Sequence, residues 1–149
     1  MSLEAQITAL AQAIGLDVKT IQAELGQSPY FETLIWAEEN AGIANGQDEW
    51  SYGNGATGAN IGIPSFWDCE AVGMVLNAEV VGTSAQVFLI VNGTQVESIT
   101  GTSRDNFVDF GTPVNINRGD RITFKTGPLV GTWSDVRVGV VLRVPCIIV

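Results

Sequence analysis

The stretch from Val136 to Val144 constrains the fold more than any other part of this chain. Val136, Val138, Val140, Leu142 and Val144 point one way, while Arg137, Gly139, Val141 and Arg143 point the other. A period of two marks an extended strand with one face on a core. Such a strand needs partners, and the sequence supplies them upstream. Cys69 to Val81 places Val72, Met74, Leu76, Ala78 and Val80 in alternation, broken once by Val75. Gln86 to Val91 is nearly all apolar, which predicts a strand buried on both faces. Asn92-Gly93 is a type I′ hairpin signal, with Thr94 to Ile99 returning. Asn106 to Phe110 reads as a short strand ended by Gly111, and Pro113 restricts Val114 to Ile116 to an edge or a strand start. Asn117-Arg118-Gly119-Asp120 reads as a turn leading into Arg121 to Thr126. Roughly seven or eight short strands with turn signals between them predict a mainly β chain, a jelly-roll-like antiparallel β-sandwich over residues 63–149.

The amino-terminal part has a different period. Leu3, Ile7, Leu10, Ile14, Val18, Ile21 and Leu25 are spaced by three or four residues, one apolar stripe on a short α-helical segment over residues 1–26. Ser2 is a good N-cap and Glu4 complements the helix dipole. Gly15 is a weak point, Asp17 a second cap, and Gly26 with Pro29 a stop. A stripe this narrow suits contact between identical chains, so Leu3, Ile7, Leu10, Ile14, Val18 and Ile21 are the expected oligomerisation residues. Packing of the same stripe on its own domain is the competing reading. Residues 27–62 read as a linker with glycine-rich loops: Phe31, Leu34, Ile35 and Trp36 suggest a helical turn, and residues 45–62 contain five glycines.

Composition excludes more than it suggests. The chain of 149 residues has no histidine, which removes Ser-His-Asp and Cys-His catalysis and most zinc sites. No paired acids stand out by spacing, and no Gly-Lys-Ser/Thr loop cradles phosphate. Asp105, Asp109 and Asp120 lack the spacing of a calcium loop. The expectation is a non-enzyme without cofactor or metal. A net charge of −9 with no Lys/Arg cluster argues against nucleic acid. No run reaches the ~18 apolar residues of a membrane span, and no signal peptide opens the chain. Cys69 and Cys146 read as two small buried hydrophobes, with a pairing left open.

Trp36, Trp50, Tyr52, Phe66, Trp67 and Trp133 lie in or beside expected loops. One reading makes them caps on the core, because tryptophan is costly to expose. The other makes flat rings among Asn, Gln and Asp a platform for sugar, and Trp50, Tyr52 and Trp133 are then the candidate ligand-binding residues.

The opening Met1 to Gly15, continued by Asp17-Val18-Lys19, resembles the amino terminus of tailed-bacteriophage virion proteins. Val91-Asn92-Gly93, Gly119-Asp120-Arg121-Ile122-Thr123 and the alternating Val136 to Leu142 resemble the β-sandwich modules of phage fibres. The resemblance implies a virion structural protein made in the host cytoplasm. In that reading it is a short, homotrimeric fibre or tail-associated protein whose partners are other virion proteins and a host-surface carbohydrate. A head-decoration protein stabilising the capsid is the alternative.

Overall fold

A computed structural model describes residues 30–47, 50–52 and 62–145, together with Gln6 and Gln12. The helix expected over residues 1–26, with its oligomerisation stripe, lies outside the described residues, as does Cys146. Nine strands are described: β1 (Tyr30–Gly42), β2 (Ser51–Tyr52), β3 (Ile63–Pro64), β4 (Cys69–Val80), β5 (Ser84–Val91), β6 (Thr94–Gly101), β7 (Asp105–Ile116), β8 (Arg121–Val130) and β9 (Ser134–Pro145). They form a five-stranded sheet, β2-β1-β9-β4-β7, and a four-stranded sheet, β3-β8-β5-β6.

With the two-residue β2 set aside, the bonded pairs β1–β9, β3–β8, β4–β7 and β5–β6 nest inside one another. That is one long hairpin rolled into two sheets, the wrap of a jelly roll, as the sequence predicts. Side chains from both sheets meet in the middle. Met74, Leu76, Val138, Val140 and Leu142 come from one sheet, and Val87, Leu89, Ile99, Ile122 and Phe124 from the other. Asn92 and Gly93 take φ values of 51° and 81°, so the tight turn is made where two left-handed residues are tolerated.

Four expectations are corrected. The linker over 27–62 contains a strand of 13 residues, β1, bonded beside β9. Leu34, Ile35 and Trp36 are therefore extended, not helical. The chain of alternation in β4 breaks at Val72 rather than Val75: the β4–β7 register slips between Ala71 and Gly73. Cys69 and Ala71 then face the core before the slip, and Met74, Leu76 and Ala78 after it. Val75 simply belongs to the outer face. β5 buries only Ala85, Val87, Leu89 and Val91 fully, leaving Phe88 and Ile90 half-buried, so it is covered closely on one face. Finally, Asn106–Phe110 and Val114–Ile116 are one edge strand, β7, in which Pro113 sits at a bulge where its missing N–H breaks no ladder.

Candidate functional site

The turns at one end of the sandwich are tied together by polar contacts. Ser65, between β3 and β4, is buried, and its Oγ donates to the Trp67 carbonyl at 2.6 Å. Its backbone N–H donates to the Asp120 carbonyl, while the Gly119 N–H donates to the Ser65 carbonyl, both at 2.8 Å. Asp68 Oδ1 accepts from the Arg118 N–H at 2.8 Å, fixing the β3–β4 loop to the β7–β8 turn a second time. Asn92 joins the β5–β6 turn to the same frame: its Nδ2 donates to Asp120 Oδ1 at 2.7 Å, and its Oδ1 accepts from the Arg121 N–H at 2.9 Å.

Asp120 is the hub. The Asn92 amide and the Asn117 N–H hold its carboxyl below the ordinary carboxylate range. Its oxygens are thus occupied with turn geometry, the role expected for the Arg118-Gly119-Asp120 tripeptide. Cys69, a free and buried thiol 3.7 Å from Ser65 Oγ, lies beneath this frame, and burial pushes it above the usual thiol range.

On this frame stand Phe66 and Trp67, 64% and 53% exposed, their rings 6.0 Å apart and inclined at 65°. Large rings held in water by a loop with this many cross-braces lose little further freedom when something stacks on them. Asp68 follows the two rings in the same loop, and Asn117 and Arg118 lie in the turn bonded to it, so acceptors and donors belong to the same frame. Sequence reading placed Phe66 and Trp67 among the loop aromatics without choosing them. The signal available was Ser65 to Asp68, a polar-aromatic-aromatic-acid run between two strands.

The residues chosen instead are placed differently. Trp50 and Trp133 are 0% exposed and belong to the core cluster. Neither indole N–H has an acceptor among the described residues, so packing rather than polar recognition holds both rings. This corrects their assignment as ligand platforms: a ring without an exposed face cannot stack on a sugar. Tyr52 lies on the two-residue β2, its backbone paired with Ala37, far in sequence from the Phe66–Trp67 loop. Trp36, expected beside a loop, is an exposed residue in β1.

Two of the cavities lined by described residues bear on function. One of about 260 Å³ lies at the opposite end, between Asn77, Glu79, Arg104, Asp105, Asp135 and Arg137. There Asn77 donates to Asp105 and Arg104 to the Glu79 carbonyl, while Arg137 pairs with Glu38 outside the cavity lining. The other, about 330 Å³, opens on the outer face of the five-stranded sheet beside Phe107. Among the described residues no group of three or more Cys, Asp or Glu side chains is placed to hold a metal ion, and no helix is long and apolar enough to cross a membrane.

No protein-family model and no curated protein matches the chain. Among solved structures it is similar to a family 35 carbohydrate-binding module from Clostridium thermocellum, at 14% identity and a TM-score of 0.37, over 72% of this chain and 90% of that module.

Proposed function

We propose that this chain is a non-catalytic attachment protein of a phage virion whose jelly roll holds carbohydrate on Phe66 and Trp67. The observation that carries the binding role is the pair of half-exposed rings on a loop braced to two neighbouring turns. Exposing such rings has a solvation cost that burial against an apolar sugar face recovers. Asp68, Asn117 and Arg118 then supply the hydrogen bonds that orient the ring. The virion role rests on the resemblance of Met1 to Gly15 and of the Gly119 to Thr123 and Val136 to Leu142 runs to phage proteins.

The test is retention on a glycan array. The intact chain is expected to bind a defined set of glycans, and Phe66→Ala with Trp67→Ala to lose them while keeping its thermal transition. Undiminished binding by the double variant overturns the platform. Assembly is tested apart from it: Ile7→Asp plus Ile14→Asp is expected to lower the oligomeric state in sedimentation, since charge in a narrow apolar seam finds no partner. Position in a purified particle separates the two virion readings, few copies at the tail for an attachment protein and a full lattice of copies for a capsid decoration.

A further inference from the structure

The larger cavity comes from a disturbance in strand pairing. Ala71 faces Val114 and Gly73 faces Asp109, so Val72 alone on β4 stands opposite the four residues 110–113 of β7. A bulge of that size bends the edge strand and re-aims its side chains. Phe110 turns into the core, whereas Phe107 remains 58% exposed. Between them opens the cavity of about 330 Å³, at the lower bound of ligand pockets.

Its walls are chemically divided. Phe107, Val141 and Pro113 give an apolar side; Glu32, Asp109 and Arg143 give the polar one. Arg143 is engaged by Glu32 at 3.3 Å. Asp109 has no hydrogen bond or ion pair among the described residues, and the polar side carries one more acid than base. Phe107 and Asp109, two positions apart on an extended strand, sit on the same face about 6.6 Å from one another. A flat ring beside an unpaired carboxylate selects an apolar body with a cation at its edge.

We infer that this cavity is a second saccharide subsite, specific for a sugar ring that carries a protonated amine. The inference rests on the carbohydrate-binding reading above and names the chemistry of the glycan. The ring's apolar face lies on Phe107, its ammonium group donates to Asp109, and Arg143 donates to a hydroxyl.

Calorimetric titration with fully deacetylated chitotetraose and with cellotetraose tests this, because the two share a backbone and differ in the amine. The titration is run at about pH 6, where the amine of the probe carries its proton. The amine-bearing tetramer is expected to bind about tenfold tighter, the worth of one charge-assisted hydrogen bond. That preference is expected to vanish in Asp109→Asn. Equal binding of both tetramers, no binding of the amine-bearing one, or an unchanged preference in Asp109→Asn overturns the subsite. None of these results touches the Phe66–Trp67 platform, which fails only if its own variants keep the array pattern.

Discussion

The two ends of this sandwich treat large aromatic rings in opposite ways. Where the β3–β4, β5–β6 and β7–β8 turns meet, Phe66 and Trp67 are held outward by a frame of backbone and side-chain hydrogen bonds. At the other end the β8–β9 connection sends Trp133 inward, with the Ile43 N–H donating to its carbonyl at 3.0 Å and Gly82 closing over its indole. One end is a lid on the core; the other is a surface with its lid removed and its rings exposed. What separates them is the backbone that carries each ring: Trp133 stands between Thr132 and Ser134 and is buried, Trp67 between Phe66 and Asp68 and is exposed.

That contrast can be broken by exchanging function and stability between the ends. Trp133→Ala is expected to cost about 3–5 kcal/mol of stability, as truncation of a fully buried tryptophan does, while the folded fraction keeps its glycan pattern. Denaturant unfolding with array binding checks both halves. A loss of binding without a loss of stability would return Trp133 to the ligand side.

Gly82→Ala probes the same lid more gently. An added Cβ would stand 2.6 Å from both Trp133 Nε1 and the Val130 carbonyl oxygen, so the lid must shift. Overpacking of this kind costs about 1–3 kcal/mol, read as a lower denaturation midpoint with an unchanged slope.

A smaller effect is expected at the open end, in acid. The Asp120 carboxyl is depressed by Asn92 and Asn117, so it stabilises the fold above its unfolded value. The contribution is lost as pH falls through the folded one. Below about pH 4 the melting temperature of the natural chain should therefore drop towards that of Asp120→Asn, whose own acid dependence lacks this component. Parallel curves for the two chains would show that the Asp120 hub does not brace the turns. Smallest of all is the expected stability change of Trp67→Ala, within about 0.5 kcal/mol because the ring is half in water, even though binding to the array is lost.

The sequence made the wrap of the fold legible wherever a strand had one wet face. β9 alternates without interruption, and the Asn92-Gly93 turn fixes the β5–β6 hairpin by backbone geometry alone. β1 was hidden for the opposite reason. Its second half, Ala37 to Gly42, is polar and has helix-forming acids at Glu38 and Glu39, and only long-range pairing with β9 makes it a strand. The bulge at Val72 was equally invisible, because a one-residue slip in β4 depends on what β7 does four residues along. The binding candidates suffered most. Burial of Trp50 and Trp133 is decided by which connection folds back over the core, and a glycine-rich neighbourhood marks a close approach as readily as an open surface.

The position of β9 sets the order in which this protein can be made. It lies between β1 and β4 in the five-stranded sheet, yet it is the latest of the nine strands to leave the ribosome. Until Val136 to Leu142 have emerged, β1 lacks its principal neighbour and β4 shows an open flank, each a template for pairing with another nascent chain. A polysome translating this message therefore carries β1 and β4 as an unfinished seam until β9 follows them.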